Sequence, residues 1–118
     1  MPVVVKPTIA LHAEQDGIPV RGNAMASGDD AVDRKVEDSI LRRLGFGGIW
    51  AWACVEARAS YGGLSYSAYL GGCSYKDEAD FKQDAYYGDL VAEAVAGLAD
   101  QIESLQGVVI NRSYRGEE

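Results

Sequence analysis

Hydrophobic and polar positions alternate along this chain with two different periods, and each change of period marks an element. Residues 3–12, Val-Val-Val-Lys-Pro-Thr-Ile-Ala-Leu-His, form an apolar, strand-like run. Pro7 cannot donate to a ladder, so an edge or bulged strand is predicted there rather than a central one. Residues 13–28 hold Gly17, Pro19, Gly22, Asn23 and Gly28 and read as loop, with room for one short strand at Ile18–Arg21. From 29 to 44 the period becomes helical. Val32, Val36, Ile40 and Leu44 recur every four residues, and Leu41 widens the stripe. Ser27 or Asp29 supplies the N-cap, Arg42 and Arg43 suit the C-terminal dipole, and Gly45 is the expected stop.

The period then shortens to two. Over residues 49–60, Ile49, Ala51, Ala53, Val55, Ala57 and Ala59 fall on one face, with Trp50, Trp52, Cys54, Glu56, Arg58 and Ser60 on the other. Alanine is a weak strand former, and its use here is close approach by a helix. Gly62-Gly63 is a two-residue hairpin turn, and the return strand runs from Leu64 to about Ser74. Pairing Tyr61 with Leu64 sets Ala59 against Tyr66, Ala57 against Ala68 and Val55 against Leu70, so apolar meets apolar. The same register pairs Arg58 with Ser67 and Glu56 with Tyr69. It sets Trp52 opposite Cys73 and Cys54 opposite Gly71, making the cysteines diagonal neighbours on the tryptophan face. Gly71 and Gly72 read as a bulge or bend before the next helix.

Helical periodicity returns near Asp77. Ser74 and Asp77 have capping-box spacing, and Gly88 divides a short helix, 77–84, from a longer one, 86–105. In the longer helix Tyr87, Leu90, Val91, Ala94, Val95, Leu98, Ile102 and Leu105 make one apolar stripe. Val108-Val109-Ile110 reads as a last short strand and residues 113–118 as a frayed tail. The order strand, loop, helix, hairpin, helix, strand predicts an α+β fold: two layers, with a small antiparallel-dominated sheet packed on one face by two helices. The 118 residues fit a single compact domain, 1–118.

Composition narrows the classes. No run of 18 apolar residues spans a membrane. The first twenty residues carry His12, Glu14 and Asp16 where a secretory signal needs an apolar core, so the expected compartment is the cytoplasm. The net charge is −7. The basic residues are scattered, which disfavours direct nucleic-acid binding. From Asp77 onward ten acids face three basic residues, so the last 42 residues hold the whole net charge. An acidic surface is steered toward basic partners.

Candidate chemistry is sparse. Cys54 and Cys73 form no C-x-x-C pair, and with one histidine, His12, they give no zinc pattern. No calcium loop, phosphate loop or cofactor motif is present. His12 has no nucleophile at catalytic spacing. Three features remain. Trp50, Trp52 and Tyr69 share the second strand face and need a cover: the N-terminal segment, a second copy or a target protein. Asp77, Glu78, Asp80, Asp84, Asp89 and Glu93 form the densest acidic stretch, fit for a basic groove or simply a solvated helix face. The corner Gly71–Asp77 leads into a helix N-terminus whose amides suit an anion or a small polar ligand.

The motifs Gly48-Ile49-Trp50-Ala51-Trp52, Tyr69-Leu70-Gly71-Gly72-Cys73-Ser74-Tyr75, Phe81 and Tyr86-Tyr87-Gly88-Asp89 lie in the segment from Gly48 to Leu90. This segment resembles a small uncharacterised family of phages and prophages. The resemblance covers rather more than a third of the chain and carries no activity to any residue. It implies a mobile-element setting and, by analogy, an inhibitor of a host defence complex. The expected function is a non-enzymatic acidic interaction protein that occupies a basic or nucleic-acid-binding surface. The alternatives are an assembly protein that self-associates, as a homodimer, through the tryptophan face, and a small ligand-binding domain or enzyme using the Gly71–Asp77 corner.

Overall fold

The computed structural model describes residues 5–25 and 27–106. Three strands, β1 (Thr8–Gln15), β2 (Ala53–Tyr61) and β3 (Leu64–Cys73), form an antiparallel sheet in the order β1-β2-β3. Three helices accompany it: α1 (Asp30–Gly45), α2 (Glu78–Lys82) and α3 (Ala85–Ser104). The architecture is the expected small α+β fold, an antiparallel sheet packed by helices. β1 begins directly after Pro7 and is an edge strand. The short strand expected at Ile18–Arg21 is replaced by bends and turns. The expected strand at 108–110 and the tail lie outside the described residues.

The hairpin has the predicted register from Tyr61↔Leu64 to Val55↔Leu70. Gly62 and Gly63 both adopt positive φ, 58° and 82°, as a tight two-residue turn between right-twisted strands requires. Beyond Leu70 the pairing changes. Ala53 opposes Cys73, so Gly71 and Gly72 together face the single residue Cys54. This bulge moves Cys73 to the alanine face. It replaces the expected Trp52–Cys73 and Cys54–Gly71 pairs, and the two free cysteines are no longer neighbours on one face.

Ala53, Val55, Ala57 and Ala59 are wholly buried, and Ala68 joins them from β3. Leu90, Ala94 and Leu98 of α3 and Phe81 of α2 complete this core. The small strand residues let α3 approach closely: a methyl group built on Gly97 would lie 2.3 Å from the Tyr66 ring. Two helices therefore cover one sheet face, but they are α2 and α3. The expectation that α1 joins them is corrected. Ile40, with Val36 and Leu44 beside it, packs on Ala51, Trp52 and Val20 in a second, smaller core. The helix break also differs, falling at Gln83–Asp84 while Gly88 continues inside α3.

The ends of α1 refine the sequence reading. Asp29 is the N-cap, accepting from the amides of Ala31 and Val32, while the Ser27 hydroxyl bonds Asp33 instead. At the C-terminus Gly47, at φ +83°, supplies the left-handed residue expected of Gly45. Its amide donates to the Leu44 carbonyl and that of Gly48 to Arg43, the paired closing bonds of a Schellman turn.

That turn feeds a single 3-10 turn at Ile49–Ala51, closed by the Ala51 amide on the Gly48 carbonyl. Strand alternation therefore starts only at Ala53, and Trp50 and Trp52 do not share a face. Trp50 turns to the main core and stacks at a tilt on Phe81, with ring centroids 5.6 Å apart. Trp52 is buried in the smaller core, and its indole Nε1 donates to the Ile18 carbonyl at 2.7 Å. The N-terminal loop is its cover.

The tight contact at Gly97 gives a test with a sign change. Gly97→Ala alone is expected to destabilise by about 1–2 kcal/mol, because overpacking outweighs the gain in helix propensity. In a Tyr66→Ala background the same change is expected to stabilise by up to about 1 kcal/mol. Urea unfolding of the four proteins checks this, and equal effects in both backgrounds contradict the packing.

Candidate functional site

The corner where β3 gives way to α2 and α3 is built from three polar anchors. Asp16 pins the bulge: its Oδ2 accepts the Gly72 amide at 2.6 Å, and its Oδ1 accepts the Ile18 amide at 2.9 Å. Gly72 sits at φ +65°, a conformation glycine adopts without strain. Arg43, reaching from α1, donates to the Tyr75 carbonyl, and the Tyr75 amide donates to the Trp50 carbonyl at 2.7 Å. The Tyr75 ring meets Phe81 edge to face at 5.0 Å, and its hydroxyl donates to Asp84 Oδ2 at 2.8 Å.

Asp84 is also the N-cap of α3, its Oδ1 accepting the Tyr86 amide. These two bonds hold its carboxyl below the usual carboxylate range, the Tyr75 hydroxyl contributing most. Burial, and then the same bond, push the Tyr75 phenol far up. At neutral pH the pair is a neutral phenol donating to an ionised carboxylate, an arrangement suited to holding charge rather than to accepting a proton.

These groups surround a cavity of about 440 Å³, lined by Leu70, Gly71 and Gly72 of the bulge and by Cys73, Ser74, Tyr75, Asp84 and Tyr86. The Gly71–Asp77 corner is therefore concave, but its carboxylate is Asp84, and Asp77 lies outside the lining. The N-termini of α2 and α3 both carry aspartate caps, Asp77 bonding the Asp80 amide at 2.8 Å. Their negative charge replaces the anion that the sequence suggested for this corner.

The acidic stretch divides into two groups. Asp77 and Asp84 are caps, Asp80 accepts the Lys76 amide at 2.9 Å, and Glu78 pairs with Lys82 at 3.4 Å. Asp89 and Glu93 are exposed on α3 and form no ion pair among the described residues. Tyr69 stands alone of the aromatic trio on the open sheet face and is 63% exposed. Around it His12, Glu14, Cys54 and Glu56 line a shallow hollow of about 180 Å³. There His12 pairs with Glu14 at 3.1 Å, and Glu56 accepts from Ser67 Oγ at 2.6 Å and from Arg58. These bonds, that of Ser67 first, hold the Glu56 carboxyl below its ordinary range. No cluster of three or more metal-binding side chains occurs among the described residues, and none of their helices is long and apolar enough to cross a membrane.

Sequence reasoning passed over Asp16, Arg43 and the Tyr75–Asp84 pair. Their partners are distant in the chain or across a helix break, where no periodicity connects them. Asp84 alone carried a readable signal, as an aspartate directly before an apolar helical stripe. Comparison of the chain with family models, with curated proteins and with solved structures finds no match.

Both thiols are held protonated. Burial pushes Cys73 up to about 11, and burial and then the neighbouring Asp16 raise Cys54. In the native protein at mildly alkaline pH, Cys54 is expected to react with an aromatic disulfide reagent well before Cys73. A pKa near 11 in place of 9.0 leaves Cys73 roughly 100-fold less thiolate. Mass mapping of the labelled sites checks the order, and equal rates contradict the burial of Cys73.

Proposed function

We propose that this protein is a non-enzymatic, acidic protein-binding module whose α3 face occupies a basic surface of its partner. The outer face of α3 carries the reading. Asp89, Glu93, Asp100 and Glu103 are all exposed, and Ala85–Ser104 contains no Lys or Arg. At 100° per residue the four acids fall in a stripe about 80° wide and about 21 Å long. It lies opposite Leu90, Ala94 and Leu98, which face the sheet. Carboxylates one turn apart on a rigid helix suit a groove that otherwise binds phosphates. Together with the resemblance to phage proteins, this favours an inhibitor that occludes a nucleic-acid-binding surface of a host defence complex.

Charge reversal tests the reading. The tagged protein is expected to capture a basic protein from host lysate in a complex that excess DNA or RNA displaces. Glu93→Lys combined with Asp100→Lys is expected to weaken capture at least about tenfold, equivalent to about 1.4 kcal/mol. Capture that is unchanged by the reversal and by high salt contradicts it.

A second reading, self-association, is favoured by β3 rather than by the tryptophans. Leu64–Cys73 contains no charged residue and no Pro, and no strand pairs with its outer edge among the described residues. Such an edge is a template for a second copy. Light scattering is expected to show a dimer at high concentration that Ser65→Lys dissociates. A strict monomer at the solubility limit removes this reading.

A further inference from the structure

We infer that the cavity at the β3–α3 corner is a receptor for a guanidinium group, the anchor arginine of the basic partner. The inference rests on the proposed binding function and adds to it a defined pocket. The cavity is lined by hydrogen-bond acceptors and aromatic residues, and no cationic side chain among the described residues lines it. Asp84 supplies an ionised carboxylate. Each of its oxygens accepts one bond, from Tyr75 or from the Tyr86 amide, which leaves acceptor capacity on both. Ser74 adds a hydroxyl-bearing residue to the same lining.

Tyr75 and Tyr86 both line this space, and aromatic residues attract cations. A guanidinium carries donors in a plane and stacks on such rings, so it satisfies the carboxylate and the aromatic surface together. The volume, about 440 Å³, lies within the range of small-ligand pockets. Tyr86, one helical turn before Asp89 and two before Glu93, connects the cavity to the acidic stripe. An arginine seated at the corner and further basic residues along α3 would form one continuous contact.

The test is an amide-resolved NMR titration of the full chain with N-acetyl-arginine methylamide. Saturable shifts are expected at Gly72, Ser74 and Tyr86, with a Kd of about 1–10 mM. The uncharged citrulline counterpart is expected to give none. Asp84→Asn is expected to weaken binding at least about fivefold by removing the charge. Because Asp84 also caps α3, Tyr86→Ala serves as the second variant: its side chain is 58% exposed and belongs to neither core. Its binding is expected to fall similarly. Shifts that do not saturate, equal shifts with citrulline, or unchanged affinity in Tyr86→Ala overturn the site.

The two proposals fail separately. Partner capture that depends on Glu93 and Asp100, with no arginine binding, overturns the pocket alone. Arginine binding with no captured partner overturns the partner and leaves a cation site.

Discussion

The closeness of α3 to the sheet governs the rest of the molecule. Ala53, Ala57, Ala59 and Ala68 present a face without bulk, and Gly97 meets Tyr66 with no room for a methyl. Strand propensity is given up for this contact, since alanine forms strands poorly and glycine weakens a helix. In return, Leu90, Ala94 and Leu98 reach a fully dry surface. Seating α3 there places Asp84 against Tyr75 at one end and turns the four acids of the opposite stripe to solvent. The shape of the corner and the charge of the outer face thus follow from the same small residues.

Polar bonds hold the second core together and tie it to the corner. Glu37 on α1 is only 6% exposed and accepts the Gly22 amide at 2.7 Å and Arg21 at 3.1 Å. Those bonds, led by the Gly22 amide, hold its carboxyl below its usual range. Arg43 then ties α1 to the loop before α2, and Asp16 ties the N-terminal loop to the bulge. Charged and backbone partners satisfy each other at every junction, so little apolar area is needed there. α1 consequently acts as a brace for the corner rather than as a second layer over the sheet.

Periodicity in the sequence reaches as far as the regular elements do. The hairpin register from Tyr61 to Leu70 was legible because two glycines fix the turn and each apolar residue finds an apolar partner. The inward stripe of α3 was legible for the same kind of reason. The tryptophans were not. Their spacing of two matched a strand, yet Gly47 and Gly48 close the preceding helix and force a 3-10 turn before pairing begins. Nor was the effect of the bulge legible: one extra residue at Gly71–Gly72 reverses the facing of Cys73 and with it the expected pairing. The corner depends on contacts between residues such as Arg43 and Tyr75, 32 positions apart, and no local pattern encodes them.

The acids separate by what stability requires of them. Asp77 and Asp84 stand where helix N-termini favour negative charge, and their bonds account for them. Glu103 stands in the last turn of α3, where the dipole disfavours a carboxylate by about 0.3–1 kcal/mol, and no basic residue accompanies it. Asp89 repels Glu93 at i,i+4, and Asp100 repels Glu103 at i,i+3. A helix evolved for stability alone would interleave lysines on that face at no packing cost. The same argument does not extend to Asp84, whose charge the fold itself uses. The cavity that Asp84 lines together with Tyr75 and Tyr86 is what the proposed arginine would enter. The acidic stripe and the corner cavity thus both depend on how α3 is seated, one as charge without an ion pair among the described residues and the other as shape, and they meet at Tyr86.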